Sequence, residues 1–333
     1  MKQQMKMVFA AAALISGAAF AQTKEVTIGY QDMLDPYRIA QDSKEIEKAT
    51  GYKINWKQFG GGGEVIKAMA SGAVQVGEVG SAGIAAAVSR GEPYELFWIL
   101  DDIGDAEALV VKNGSGINSV ADLKGKKIAM PFNSTTHFHT MVALEQAKIN
   151  PADVQILNMR PPEVRAAWQR GDIQATFIWD PVLAEVKKDG KVITSSGKIS
   201  ADTGKATFDG YIANKDWAKA NRDFMVKFVK IMAASDEAYR KNAAAWNKDS
   251  EQVKAVAKWS GAKPEDVPAG MALYRFPTLG EQMSKWLGGG KNSVAAKALA
   301  ATAEFQLSQK QIEKTLPDYS VVVNPSYVQE ASK

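Results

Sequence analysis

Short apolar strands alternate with helical segments along the first part of the chain. The pattern predicts strands at 26–30, 53–59 and 74–79 and helices at 36–49, 64–71 and 81–90. Such alternation is typical of an α/β fold with a mostly parallel sheet and helices on both faces. Ligands of open α/β sheets bind at the carboxyl ends of the strands, so the turns that follow these strands are candidate binding positions.

The same pattern restarts at 107–111, which indicates a second α/β unit. This unit has predicted strands at 127–131, 154–157 and 173–179 and helices at 136–146 and 162–170. A loop rich in Ser, Lys and Gly is predicted at 190–205, followed by a strand at 210–213 and a long helical region. In each unit a helix ends at a glycine, Gly72 or Gly171, and a short strand follows. The chain is therefore predicted to form two lobes built to one plan.

The N-terminus has the features of a secretory signal peptide. Lys2 and Lys6 precede an apolar run at 7–15, and small residues stand at the two positions before a cleavage site after Ala21. The apolar run is too short for a transmembrane helix, which needs about 20 residues. Residues 1–21 are therefore predicted to be removed on export, with the mature protein in the periplasm.

Composition excludes several classes of protein. The 333 residues include no cysteine, which excludes a lipid-anchored N-terminal cysteine, disulfides, thiol catalysis and cysteine metal sites. The formal charge of +4 falls to +2 without Lys2 and Lys6, and the charges are mixed along the chain. This argues against binding to nucleic acid or to a membrane surface. Nothing in the sequence indicates an oligomer, so a monomer is expected.

Two predicted strands end at turns that suit an anion. Gly80 and Ser81 follow one strand, and Ser134, Thr135 and Thr136 follow another; a helix starts at each turn. The backbone N–H groups at a helix start, together with hydroxyls and the positive end of the helix dipole, form an anion site. The alternative is that these residues are ordinary helix N-caps.

Two carboxylates lie at the predicted crossings between the lobes. Glu107 precedes the strand on which the chain leaves the first lobe, and Asp209 begins the strand on which it returns. Carboxylates at both crossings are expected if the cleft receives a cation. The alternative is that Glu107 belongs with Asp101, Asp102 and Asp105 to a solvated acidic loop.

Other motifs do not support catalysis or a cofactor. The glycine run at 60–63 lacks the Lys-Ser/Thr pair of a phosphate-binding loop and is predicted to be a flexible loop at the rim of the cleft. His137 and His139 are two residues apart on a predicted helix and would point to different sides, which disfavours a shared metal ion. No nucleophile, base and acid can be grouped into a catalytic set. We therefore expect neither an enzyme nor a cofactor.

At these residues the sequence resembles the periplasmic taurine-binding proteins of taurine ABC importers, a branch of the family that binds sulfonates, nitrate and thiamine precursors. The resemblance extends from about residue 26 to 234. Its motifs are Gly29–Gln31, Ile66–Gly72, Gly77–Ser81, Glu107–Val111, Pro131–His137, Ala166–Ile173 and Trp179.

The resemblance implies a fold like that of periplasmic binding proteins, with two α/β lobes joined by two hinge strands and the ligand in the cleft. Lobe one would be 24–107 plus 209–333, and lobe two 108–208. The protein would capture taurine and deliver it to the membrane permease of an ABC importer. The sulfonate would contact Gly80, Ser81, Ser134, Thr135 and Thr136, the ammonium would contact Glu107 and Asp209, and Gln31 and Trp179 would enclose the ligand.

Two residues favour a different ligand on the same fold. Asp180 and Arg165 are more typical of the aliphatic-sulfonate relatives than of the taurine branch. The alternative function is therefore a receptor for an aliphatic sulfonate or another small anion, with Glu107 and Asp209 as hinge residues only. A thiamine-pyrimidine synthase on this fold is disfavoured because those enzymes use a motif that contains cysteine.

Overall fold

The computed structural model describes residues 24–333, so the signal peptide predicted at 1–21 lies outside the described residues. Within the described range, ten strands form two five-stranded sheets. The first sheet contains β1 (Glu25–Tyr30), β2 (Lys53–Gln58), β3 (Val76–Gly80), β4 (Tyr94–Asp102) and β10 (Phe208–Asn214). The second contains β5 (Glu107–Lys112), β6 (Lys127–Met130), β7 (Gln155–Asn158), β8 (Ala175–Trp179) and β9 (Gly190–Ser195).

The two sheets have the same topology, as the two-lobe prediction requires. Their strand orders are β2-β1-β3-β10-β4 and β7-β6-β8-β5-β9. In the first sheet β1 pairs in parallel with β2 and β3, whereas β10 is antiparallel to β3 and β4. In the second sheet β5 has the same antiparallel position. The sheets are therefore mixed rather than mostly parallel, because one strand of each arrives from the other lobe in the opposite direction.

Helices cover the sheets and form most of the C-terminal part of the described chain. They are α1 (Arg38–Asp42), α2 (Glu45–Thr50), α3 (Gly62–Ala70), α4 (Ser81–Ser89), α5 (Thr135–Gln146), α6 (Pro161–Arg170), α7 (Val182–Val186), α8 (Ser196–Thr203), α9 (Lys215–Ala220), α10 (Arg222–Lys241), α11 (Glu251–Ser260), α12 (Val267–Met271), α13 (Leu279–Glu281), α14 (Val294–Ser308) and α15 (Ser326–Ala331). A π-helical turn (Gln282–Trp286) follows α13, and short 3₁₀ turns lie at Val120–Leu123, Pro151–Asp153, Ala243–Ala245, Gly290–Asn292 and Tyr319–Val322. None of the helices in residues 24–333 combines the length and the apolar character needed to cross a membrane.

Two sequence predictions are wrong in detail. The single helix predicted at 36–49 is divided into α1 and α2, because Lys44 between them has a left-handed backbone with φ of 57°. The segment 190–205, predicted as a loop, contains β9 and α8. Ser195 is the N-cap of α8 rather than a loop residue, since its hydroxyl accepts a hydrogen bond from the N–H of Lys198.

The chain passes between the sheets twice, after β4 and before β10. A third connection is a side-chain contact between the lobes. Phe305 of α14 packs edge-to-face on Phe138 of α5, with 5.3 Å between ring centroids, and belongs to the apolar cluster under the second sheet. Movement of one lobe relative to the other must therefore shift this contact as well as the two crossing segments.

Gly210 in β10 provides a test of the sheet packing. A Cβ at this position would lie 2.7 Å from Leu96 Cδ1 and 2.9 Å from the carbonyl oxygen of Trp98, and the backbone oxygen cannot move aside cheaply. Gly210→Ala is expected to lower the free energy of unfolding by about 1–3 kcal/mol, the usual cost of overpacking. Urea unfolding measures this change.

The matched control is Gly280→Ala in α13. The nearest atom to a Cβ there is Thr278 Oγ1 at 3.9 Å, and alanine is the better helix former. This variant is expected to be as stable as the wild type or more stable. Equal stability of the two variants would contradict the described packing of β10 between β3 and β4.

Candidate ligand-binding site

The two predicted anion turns face each other across the lobes. Gly80 ends β3 and is the N-cap of α4, and Ser134 is the N-cap of α5. A Cβ on Gly80 would lie 2.9 Å from Thr135 Cγ2 and 3.0 Å from Asp209 Oδ1. Glycine at position 80 therefore allows Thr135 and Asp209 to approach β3 closely.

The hydroxyls of these turns already have partners within the protein. The Ser134 hydroxyl accepts from the N–H of His137 at 3.1 Å and lies 2.8 Å from the Thr136 hydroxyl. The Ser81 hydroxyl accepts from the N–H of Phe208 at 3.3 Å. The turns can therefore bind an anion chiefly through backbone N–H groups, since the first N–H groups of a helix have no partner within the helix.

Glu107 is buried where β5 begins. The Thr135 hydroxyl donates to Glu107 Oε1, and Ser196 Oγ lies 2.8 Å from Glu107 Oε2. Burial raises the pKa of Glu107 to about 7, although the hydrogen bonds from Thr135 and Ser196 act in the opposite direction. Burial therefore favours the protonated form of this carboxyl in the ligand-free protein.

A chain of hydrogen bonds extends behind Glu107. Ser196 Oγ also lies 2.8 Å from Nδ1 of His139, whose Nε2 lies 2.9 Å from the carbonyl oxygen of Lys205. That carbonyl can only accept, so Nε2 carries the proton of a neutral ring. Burial lowers the pKa of His139 to about 4, which keeps the ring neutral. Ser196 has one hydroxyl proton, which it donates to Glu107 or to Nδ1 of His139.

Asp209 lies beside Gly80 on one neighbouring strand and beside Asp101 on the other. Asp101 is 0% exposed, and neither of its carboxylate oxygens has a hydrogen-bond partner among residues 24–333. Burial raises the pKa of both aspartates well above the usual range, and negative neighbours raise it further. Asp101 was considered as part of a solvated acidic loop; this is wrong, because it lies inside the apolar strand β4.

Protein cations do not neutralise these three carboxyls. Within residues 24–333, the ion pairs of buried Arg38 go to Asp35 at 3.0 Å and Glu78 at 3.2 Å. No ion pair of the described chain reaches Asp101, Glu107 or Asp209. The site therefore has an excess of buried carboxyl groups, which must be neutralised either by protons or by a bound cation.

Gln31 and Trp179 lie on opposite lobes. The side chain of Gln31 donates to the carbonyl oxygen of Glu78 at 3.1 Å, which ties it to β3. The Trp179 indole donates to Asp32 Oδ1 at 2.8 Å, a bond between β8 and the segment after β1. Burial raises the pKa of Asp32 to about 6, and the bond from Trp179 lowers it. Trp179 thus connects the two lobes beside the buried carboxyls.

The two residues that favoured a plain sulfonate also have partners within the protein. Asp180 Oδ1 accepts a hydrogen bond from the N–H of Ala184, in the first turn of α7, at 2.7 Å. Arg165 forms an ion pair of 2.8 Å with Glu185. Neither arrangement requires a ligand.

The glycine run and the histidines have structural roles too. Gly61 is the N-cap of α3, and a Cβ on Gly60 would lie 2.9 Å from Arg160 of the other lobe. Arg160 forms an ion pair of 2.6 Å with Glu64, so this segment is a contact surface between the lobes. His137 stacks on Phe132 with centroids 4.4 Å apart. Among residues 24–333, no group of three or more His, Cys, Asp or Glu is placed to bind a metal ion.

Sequence reasoning did not single out Asp101, Asp32, Ser196 or the Arg38 network as site residues. Asp101 and Asp32 each lie at or just after the carboxyl end of an apolar strand, the position that identified Gly80. The same criterion, applied to the carboxyl ends of β1 and β4, identifies Asp32 and Asp101. Ser196 had no such signal, because its strand and helix were not recognised.

Two α/β lobes of one topology, with a buried charged cluster where their strand ends meet, define a protein that encloses a small molecule between its lobes. Residues 24–260 match the substrate binding domain of ABC-type glycine betaine transport systems. The chain belongs to this family of substrate-binding proteins of ABC-type transport systems, which pass a small-molecule ligand to a permease. It is a transport receptor and not an enzyme.

Individual relatives agree with this assignment. The taurine-binding periplasmic protein of Escherichia coli is 36% identical over 325 residues, 96% of this chain and 97% of the relative. The alkanesulfonate-binding protein SsuA of Xanthomonas axonopodis pv. citri has the same fold, with a TM-score of 0.72 and 23% identity over 93% of this chain and 98% of its own. The aliphatic sulphonate binding protein SsuA of Escherichia coli has a TM-score of 0.69 and 23% identity over 91% and 98%.

The raised pKa of Glu107 predicts a pH dependence of stability. Because the folded carboxyl keeps its proton up to about pH 7 and the unfolded one loses it near 4.5, its contribution is complete below about pH 4.5 and is lost as pH rises to about 7. Glu107→Gln imitates the protonated form. Relative to the ligand-free wild type, it is expected to gain up to about 3 kcal/mol between pH 5 and 8.

Urea unfolding at several pH values measures the difference in the free energy of unfolding between Glu107→Gln and wild type. Contributions from groups that both proteins share cancel in this difference. The control is Glu304→Gln, an exposed position on α14, which is expected to show no trend with pH. A constant difference between Glu107→Gln and wild type from pH 5 to 8 would contradict the protonated carboxyl.

Proposed function

We propose that the protein captures taurine, 2-aminoethanesulfonate, and delivers it to the permease of an ABC importer. Two kinds of support agree. The relative with 36% identity over nearly the whole chain is named for taurine binding. The candidate site also has backbone N–H groups at helix starts on one side and an excess of carboxyl groups on the other. Taurine carries a sulfonate that suits the first and an ammonium that suits the second.

The observation that carries the proposal is the uncompensated carboxyl cluster. Glu107 and Asp209 are buried, and Arg38 is occupied by Asp35 and Glu78. An ammonium group placed between Glu107 and Asp209 would supply the missing positive charge and would itself need such partners in a closed cleft. A ligand with only an anionic group would leave this charge unbalanced.

The sulfonate is assigned to the starts of α4 and α5. Gly80, Ser81, Ser134, Thr135 and Thr136 lie there, and their backbone N–H groups with the two helix dipoles suit an anion without an arginine. In this proposal Gln31 and Trp179 enclose the ligand from the first and second lobe.

The proposal includes how the molecule works as a whole. Residues 24–107 and 209–333 would move as one body and 108–208 as the other, rotating about the two crossing segments to open and close the cleft. The protein would act as a monomer in the periplasm, after export by the signal peptide at 1–21, without binding nucleic acid.

A second candidate ligand is a plain alkanesulfonate. One observation favours it: both oxygens of Glu107 already have hydroxyl neighbours, Thr135 and Ser196, so a protonated Glu107 is satisfied without an ammonium. The solved structures with the same fold include alkanesulfonate-binding proteins, although their identity of 23% extends only to the fold.

Comparison of taurine with ethanesulfonate, which lacks only the ammonium, separates the two candidates. Wild type is expected to prefer taurine by at least about 100-fold, roughly 3 kcal/mol, because a site built for a polar group rejects the analogue without it. Glu107→Gln and Asp209→Asn should each weaken taurine binding by about 2–5 kcal/mol, the usual cost of breaking a buried charge pair. Ethanesulfonate binding should be unchanged or improved.

Isothermal titration calorimetry measures these affinities, with β-alanine, sulfate and nitrate completing the panel. Asp202→Asn, on the exposed side of α8, is the control and should bind like wild type. If both carboxyl variants bind taurine as wild type does, the ammonium is not bound by Glu107 and Asp209, and the plain-sulfonate function is preferred.

The role of backbone N–H groups is tested at Thr135. This residue is the first of α5, where proline fits the helix but has no N–H to donate. Thr135→Val and Thr135→Pro both lose the hydroxyl bond to Glu107, and only the second also loses the N–H. Thr135→Pro is expected to bind taurine at least about tenfold more weakly than Thr135→Val, since a hydrogen bond to a charged group contributes about 1.5–3 kcal/mol.

Arg165→Ala serves as the comparison for a side-chain cation. Because Arg165 pairs with Glu185, its loss should change taurine affinity only modestly. A large loss in Arg165→Ala, with equal affinities for Thr135→Val and Thr135→Pro, would show that a guanidinium and not the helix start binds the sulfonate.

A further inference from the structure

Asp101 and Asp209 are direct cross-strand neighbours. β10 pairs with β4 so that Asp209 is opposite Asp101, next to a register shift between Asp209 and Gly210, and it pairs with β3 so that Asp209 is opposite Gly80. Residues opposite each other in an antiparallel pair project from the same face, with Cβ atoms about 4.5–5.5 Å apart. The two carboxyl groups therefore share one face of the sheet, next to the glycine at the start of α4.

Placing these two carboxyl groups together lowers the stability of the folded protein. Like charges directly opposite each other destabilise a sheet, and burial increases the cost. Asp101 has no exposed surface, and both of its oxygens lack a hydrogen-bond partner among the described residues. An unpartnered, fully buried carboxyl beside a second buried carboxyl indicates that the pair is completed by something outside the chain.

The surroundings of the pair are acidic on several sides. Asp35 lies before α1, Asp102 is next in β4, Glu107 starts β5 and Glu78 is in β3, and each raises the pKa of one or both aspartates. Tyr274, after α12, is also near both. Arg38 is the buried cation of this region, and its ion pairs go to Asp35 and Glu78.

We propose that Asp101 and Asp209 share a proton in the ligand-free protein and that an ammonium-bearing ligand displaces it into solvent, which makes Asp101 a specificity-determining residue of the site. The inference rests on the proposed function, because it requires a ligand that carries an ammonium group. Charge balances in the exchange: the pair loses one proton and gains one cationic group. Asp101 acts through Asp209 and need not contact the ligand.

The exchange predicts opposite pH dependences for two ligands. Below the pKa at which the pair loses its shared proton, taurine must expel that proton, so its affinity should fall by up to about tenfold for each unit of decreasing pH. Ethanesulfonate brings no positive charge and binds best to the protonated pair. Its affinity should stay constant or rise as pH falls.

The direct test counts protons. Taurine is titrated into the full-length mature protein by calorimetry at about pH 6.5 in two buffers of different ionisation enthalpy, and the difference between the observed heats gives the number of protons released. Wild type is expected to release the shared proton of the pair in addition to any proton that Glu107 loses to the same ammonium. Asp101→Asn, which cannot share the proton, should still bind taurine and should release clearly fewer.

Asp102→Asn is the matched control. Asp102 adjoins Asp101 in β4 but is partly exposed; burial raises its pKa, and Arg275 and Lys285 act in the opposite direction. This variant should release as many protons as wild type. If Asp101→Asn does not fold, the opposite pH trends of taurine and ethanesulfonate in wild type provide the same test.

The outcomes separate this inference from the proposed function. Taurine binding by wild type without proton release, or equal release by Asp101→Asn and wild type, overturns the shared proton and leaves the taurine receptor intact. Parallel pH trends for the two ligands also overturn it. Absence of taurine binding by wild type overturns both.

Discussion

Carboxyl groups that the protein itself does not neutralise are the feature on which the site depends. Asp101, Glu107 and Asp209 are buried at the strand ends, while the buried Arg38 is paired with Asp35 and Glu78. Unpaired charges are expensive to bury, so these groups must bind protons or a cationic ligand. The backbone N–H groups at the starts of α4 and α5, after Gly80 and Ser134, lie a short distance away and favour an anion. In the proposed function, the two together select a molecule with charge at both ends.

The fold explains why this cluster lies between the lobes. Each sheet receives one antiparallel strand from the other lobe, β10 in the first and β5 in the second. Glu107 begins β5 and Asp209 is near the start of β10, so both carboxyls lie where the chain crosses. Movement of one lobe relative to the other, as proposed, would therefore change the environment of these groups directly. It would also affect the hydrogen bond between Trp179 and Asp32, which joins the lobes.

Much of this arrangement could be predicted from the sequence, since strand and helix periods and glycine stops are local signals. Gly80, Ser134 and Thr135 were identified because they follow strands, and the structure places them together. The pairing of Asp209 with Asp101 could not be found in this way, because the register between strands 108 residues apart depends on the tertiary fold. Ser196 was missed because β9 is an edge strand whose Val192 is 43% exposed, which weakens its apolar pattern.

A crystal structure of the complex with taurine tests the central claim most directly, because it shows which end of the ligand meets which group. The account predicts that the nitrogen lies within hydrogen-bond distance, about 2.7–3.2 Å, of the Glu107 and Asp209 carboxylates, with the sulfonate oxygens on the N–H groups at the starts of α4 and α5. The reverse orientation, or taurine bound away from these residues, would contradict it.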